Sequence, residues 1–258
     1  MAVGRSLAAK IAIVLLLLCG CATPQKNTLT QISTIDALLA GAYDGQISSG
    51  DLLHYGDFGL GTFDRLDGEM IVLGGTVYQA KSDGKIYTPA PSLSVPFAAV
   101  CRFSPDRTFP LDATGYDALC RRVDEAVGNP NTFCAVQVRG IFKKVKFRSV
   151  PAQAKPYPPL AEAAKNQSVF ELQDVSGTIV GFRCPPFVKG VNVPGYHLHF
   201  ITDDLTRGGH LLDMEMAHGS CLLDVCNRFL MILPENAGQM QSLDLSIDRS
   251  KELGKVEK

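Results

Sequence analysis

Gly59-Leu-Gly-Thr-Phe63, Glu69-Met-Ile-Val-Leu73, Thr76-Val-Tyr-Gln79 and Ile86-Tyr-Thr88 follow one another closely. Only Leu66-Asp67-Gly68, Gly74-Gly75 and Ser82-Asp83-Gly84 stand between them. β-branched and aromatic runs punctuated by Gly and Asp-Gly turns make a meander of antiparallel strands. Val95 to Phe103 and Phe133 to Val150 extend the β pattern. From Phe170 onward almost everything is strand-like: Thr178 to Cys184, Tyr196 to Ile201, His210 to His218, Cys221 to Val225 and Phe229 to Leu233. Helical spacing is rarer. It occurs after Ser33-Thr34 (Ile35, Leu38, Leu39, Ala42), after Thr114 as a cap (Tyr116, Leu119, Cys120, Val123, Val127, ended by Gly128-Asn129-Pro130), and over Leu160 to Asn166.

The expectation is an α+β protein in two sheet-bearing domains built on mixed or antiparallel sheet. Residues 32–150 form the first and residues 151–258 the second, with the Pro-rich stretch Pro151 to Pro159 as the junction. The charged tail from Ser246 reads as a frayed, solvated end.

The chain has 258 residues, 46% of them hydrophobic, and 25 Lys+Arg against 26 Asp+Glu. That is globular composition, and it excludes wholesale disorder and a basic nucleic-acid surface. No apolar run is long enough to span a bilayer. At the start, Arg5 and Lys10 precede Ile11-Ala-Ile-Val-Leu-Leu-Leu-Leu18, the charged and apolar regions of an export signal. Leu18-Cys19-Gly20-Cys21-Ala22 resembles a bacterial lipoprotein site with Cys21 as the lipidated residue. Plain secretion is the alternative. Residues 1–21 are then the signal and 22–31 a tether, so the membrane is met only through a lipid anchor. Cys101, Cys120, Cys134, Cys184, Cys221 and Cys226 would remain in an oxidising compartment; single buried thiols are the simpler reading.

Chemistry concentrates in the histidines. In Gly195-Tyr-His-Leu-His-Phe200 the two imidazoles alternate, so one strand face carries both. A turn, Asp203-Asp-Leu-Thr-Arg-Gly-Gly209, then returns the chain at His210. A hairpin brings His210 beside His197 and His199. Three neutral imidazoles suit zinc with an open coordination position. An incidental strand pair is the bland alternative. His218 lies too far along the strand to share that ion, and His54 is isolated. Zinc is favoured over iron because no carboxylate is evident beside the histidines. A cupin would also show His-x-His, but Asp203 and Asp204 stand where its glutamate belongs.

With those residues in place, the chain resembles the bacterial α-acetolactate decarboxylase family. The likeness rests on Gly56-Asp-Phe-Gly-Leu-Gly-Thr-Phe63, Leu66-Asp-Gly-Glu-Met70, Arg148-Ser-Val-Pro-Ala-Gln153, Lys155-Pro-Tyr-Pro-Pro-Leu160, Gly195-Tyr-His-Leu-His-Phe200 and Gly208-Gly-His210. It runs from about Ile32 to Glu257. The resemblance implies two α/β domains joined by a shared sheet, a zinc on His197, His199 and His210, a homodimer, and conversion of 2-acetolactate to acetoin and carbon dioxide, a lyase step of the butanediol pathway. It further implies active-site roles for Glu69, Arg148, Thr62 and a tail glutamate at Glu257, with Glu252 the neighbouring alternative. Taken without the resemblance, Glu69 reads as a solvated residue after a turn and Arg148 as a surface arginine. The rival functions are a non-catalytic metal-binding lipoprotein of the same fold and a cupin-like metal oxygenase.

Overall fold

The computed structural model describes residues 26–234 and 239–257. Residues 1–21, and the expected lipidation site Cys21 with them, lie outside the described residues. Two large sheets dominate. The first has seven strands, ordered Arg228–Ile232, Thr28–Ile32, Phe97–Cys101, Phe58–Thr62, Glu69–Leu73, Thr76–Ala80 and Ile86–Tyr87. Its second half is the meander expected from the Gly and Asp-Gly turns, each strand antiparallel to the next. Gly68 turns that chain at φ 83, and a Cβ there would collide with the Ala80 carbonyl, so only glycine allows the close return that sets Glu69 opposite Thr62.

The second sheet runs Phe133–Ser149, Ser168–Cys184, Gly195–Thr202, Gly208–Cys226 and Arg107–Gly115. Phe133–Ser149 also pairs with Gly208–Cys226, which closes four of the strands into a ring. The fold class is therefore mixed α+β with sheet predominating, as expected.

The sheets do not part at the Pro-rich stretch. Phe133–Ser149 and Ser168–Cys184 flank Pro151 to Pro159 and pair with each other along nearly their whole lengths. The last strand, Arg228–Ile232, crosses back into the first sheet and lies parallel to Thr28–Ile32. Thr28–Ile32 is accordingly an interior strand and not part of a tether; its Leu29 and Ile32 are buried. Nor do His210 to His218 and Cys221 to Val225 form separate strands. Gly208–Cys226 is continuous, and irregular register against Phe133–Ser149 absorbs its bends.

Apolar side chains of both sheets meet face to face. Leu29, Phe58, Leu60 and Ile71 of the first pack on Val180, Phe182 and Ile201 of the second. The helix Tyr116–Val127 covers part of the second sheet with Leu119, Val123 and Val127. Its end was legible, since Gly128 caps it at φ 69. Its start was not: Gly115 holds the cap position, while Thr114 lies within the preceding strand and donates its hydroxyl to the Asp112 carbonyl. Thr34 does cap its short helix, accepting from the Ala37 N–H at 3.2 Å. The tail is not frayed. Ser250–Val256 is helical and buries Leu253 and Val256 against Ile35, Leu38 and Leu160. Apolar contact outweighs the solvation of its charged neighbours, of which Lys251 and Lys255 remain exposed. The six cysteines among the described residues are free thiols, five buried and Cys120 half-buried. Among the described residues no helix is long and apolar enough to cross a membrane.

Candidate active site

The strand Gly195–Thr202 alternates its side chains, so His197 and His199 share a face. The turn after Thr202 returns the chain antiparallel, with His210 directly opposite His199. Gly209 is the residue that permits this. A Cβ there would collide with the Arg148 carbonyl oxygen, because the His210 strand also pairs with Arg148 on its other side. The three imidazoles are buried, at 8%, 0% and 2% exposure, and one ligating nitrogen from each lies within 4.8 Å of the others. His218 and His54 are exposed and remote from this group.

The electrostatics favour a cation held by neutral imidazoles. Burial pushes His197 down to about 3, and the nearby Arg148 guanidinium lowers it further. Burial also depresses His199 and His210 well below their ordinary value. His199 Nδ1 sits 2.8 Å from the Met70 carbonyl oxygen, so it carries the proton and donates. Its Nε2 is buried and has no hydrogen-bond partner. A buried lone pair aimed at two other imidazoles is left unsatisfied at a cost of about 1–3 kcal/mol unless a ligand takes it up. The donor set therefore fits a metal ion, and the Met70 contact is the outer support that such a ligand needs.

Two carboxylates border this cluster, Glu69 and Glu257, the two that the family resemblance implied, although neither is near the histidines in sequence. Glu69 Oε2 is 3.6 Å from His199 Nε2, and Glu257 Oε2 is 3.9 Å from His210 Nε2. Sequence spacing could not reveal them, because Glu69 reaches the histidines from the other sheet and Glu257 from the tail helix. Arg148 is equally buried. Its Nη1 donates to Glu69 Oε1 at 2.9 Å and its Nη2 to the Val256 carbonyl at 2.9 Å. Burial pushes Glu69 up to about 7 against the downward pull of Arg148, and the neighbouring Glu257 adds to the rise. Burial likewise lifts Glu257 to about 7, opposed by Arg148. One cation thus faces two carboxyl groups in a low-dielectric pocket, which favours keeping a proton between them.

Thr62 lines the same pocket, and its hydroxyl donates to the Gly68 carbonyl at 2.7 Å, so it is free only to accept. The remaining walls are apolar, among them Ile35, Leu38, Phe97 and Leu160. Glu252 is not at the site; it pairs with Arg249 on its own helix. Hence Thr62, Glu69, Arg148, His197, His210 and Glu257 line one pocket, with His199 against Glu69 and opposite His210, and Glu257 is the tail glutamate that reaches it.

The alpha-acetolactate decarboxylase family model matches residues 29–246. A protein of that name from Methanosarcina mazei is 50% identical over 90% of this chain and 81% of its own length. Its counterpart from Methylococcus capsulatus is 45% identical over 90% of each. The crystal structure of alpha-acetolactate decarboxylase from Bacillus subtilis strain 168 superposes with a TM-score of 0.87 at 35% identity. That match covers 89% of this chain and 99% of that one. With sequence and fold agreeing from the first strand to the metal-type pocket, the chain belongs to the alpha-acetolactate decarboxylase family.

Proposed function

We propose that this family member decarboxylates 2-acetolactate to acetoin, with one zinc ion held by His197, His199 and His210. The observation that carries this reading is the convergence of three neutral imidazoles with an Arg–Glu pair in one buried, largely apolar pocket. Zinc is chosen because the three closest donors are all imidazole, a set that leaves its positive charge intact. When bound, it supplies Lewis acidity toward the substrate's hydroxyl and carbonyl oxygens.

The chain's own residues supply the rest. Loss of carbon dioxide leaves an electron pair on the hydroxyl-bearing carbon, which the adjacent carbonyl accepts to give an enediolate. The apolar walls exclude water, so each charge that develops inside is felt strongly. Glu69, lifted to about 7 by burial, gains and loses a proton near neutral pH and is the general acid that delivers one to carbon. Protonation from one fixed side chain yields a single acetoin enantiomer. Arg148 orients Glu69 through the 2.9 Å hydrogen bond and holds the backbone that carries Glu257. Pairing Arg148 tightly with the departing carboxylate would stabilise the ground state and slow the reaction. Its engagement by Glu69 relieves that tension. Thr62 accepts from the substrate hydroxyl.

An anaerobic assay for acetoin and carbon dioxide from 2-acetolactate tests the reading. A metal oxygenase would need oxygen, and a binding protein would give no acetoin. The same proposal includes a homodimer, for which sedimentation equilibrium gives twice the chain mass.

A further inference from the structure

The pocket around the histidines has a free volume of about 30 Å³. That is room for on the order of two water molecules, too little for a branched hydroxy-keto acid. Its polar side chains are closed off: Arg148 is 6% exposed, Glu69 11% and Glu257 12%. Something must move before a substrate can enter. Beside the Ser250–Val256 helix lies a second cavity of about 620 Å³. It is walled by Tyr116, Tyr196, Lys189, Leu253 and Gly254, and it shares a single residue with the inner pocket, Glu257.

The Glu257 carboxylate is only loosely anchored. Its Oε2 is buried without a hydrogen-bond partner, and its nearest charged neighbour, His210, stands 3.9 Å away. Its backbone, by contrast, is fixed. Arg148 holds the Val256 carbonyl, and the Glu257 N–H donates to the Leu253 carbonyl at 3.1 Å. Glu257 is thus the one residue that lines both spaces, carried on a backbone that is held in place.

Building on the decarboxylase reading, we infer that the outer cavity is the antechamber through which the hydroxy-keto acid reaches the histidines, with the Glu257 side chain as the partition. Substrate waits in the larger space, the carboxylate swings aside, and closure then expels water from the reacting centre.

Gly254 offers a clean probe. A Cβ added there would meet no atom within 4 Å, so a side chain at this position grows into open cavity. Replacing a helical glycine also favours the helix, so the wall itself is not weakened. The series Gly254→Ala, Gly254→Leu and Gly254→Phe is read in two ways on the full chain loaded with zinc. One readout is kcat/KM for 2-acetolactate. The other is the rate at which 2,6-pyridinedicarboxylate, a small anionic chelator, strips the metal. Both should fall as the side chain grows, by about tenfold or more in Gly254→Phe, where entry becomes limiting. Starting zinc content and melting temperature should not fall; should Gly254→Phe misfold, Gly254→Leu carries the comparison. Rates unchanged or faster in the folded variants would overturn the antechamber. A wild-type chain that makes no acetoin overturns the decarboxylase reading instead, and the chelator series still decides the passage.

Discussion

Arg148 and Glu69 meet in a buried ion pair, Nη1 to Oε1 at 2.9 Å, although they come from different sheets and stand 79 residues apart in sequence. The same guanidinium holds the Val256 carbonyl, one residue before Glu257. A single side chain therefore braces both Glu69 and the backbone that carries Glu257.

That bracing sets a stability prediction. Arg148→Met strands two carboxyl groups in an apolar pocket, and breaking such a pair costs about 3–5 kcal/mol. Thermal melts of the apoprotein should show a loss of this order. In a Glu69→Gln background the same change should cost less, with a coupling of about 0.5–3 kcal/mol. Equal losses in both backgrounds would remove the pair as a structural element.

Glu69→Gln keeps size and hydrogen bonding but removes the acid. Zinc content should survive, because Glu69 is not among the three closest donors. Activity should drop by about 10²–10⁴-fold, the range of general acid catalysis. Residual acetoin should lose enantiomeric purity, since water would then deliver the proton. Chiral chromatography of the product decides this, and a near-normal rate with unchanged chirality removes Glu69 from the mechanism.

The two tail glutamates should separate sharply. Glu257 borders His210, whereas Glu252 is spent on Arg249. Glu257→Gln should lower kcat at least tenfold, an effect about 1.4 kcal/mol or larger. Glu252→Gln should change activity less than twofold, because its salt bridge is partly exposed and worth under about 1 kcal/mol. Steady-state kinetics of the two variants checks the pair, and a reversed order would place the wrong glutamate at the site.

The export signal makes its own prediction. If Cys21 is acylated after cleavage, the protein should partition with membranes and be released when Cys21→Ser is expressed. Fractionation and intact mass measure both. Unchanged processing and unchanged membrane association in that variant would contradict lipidation.

The histidine cluster was legible in the sequence because its parts are local. His197 and His199 alternate on one strand, and a short turn returns His210, so period and loop length fix all three. The meander was legible for the same reason. What local pattern could not convey is contact between distant segments. Met70 supports His199 from the other sheet, and Arg228–Ile232 lies beside Thr28–Ile32 across almost the whole chain. Neither pairing leaves a periodic trace. Glu69 and Arg148 look like surface residues by type, since buried charges are rare, and only likeness to a family marked them out. The tail misled because seven of its residues from Ser246 onward are charged, while two apolar side chains, Leu253 and Val256, decide where it docks.

The most direct measurement is metal content and decarboxylation on the same samples. Wild-type protein, chelator-treated protein, zinc-restored protein, His199→Ala and His218→Ala are analysed for bound metal and for acetoin formed from 2-acetolactate. One zinc per chain should accompany activity in the wild type, the restored protein and His218→Ala, and both should be lost on chelation and in His199→Ala. Full acetoin production from metal-free protein, or full zinc in His199→Ala, would contradict a reaction centred on His197, His199 and His210.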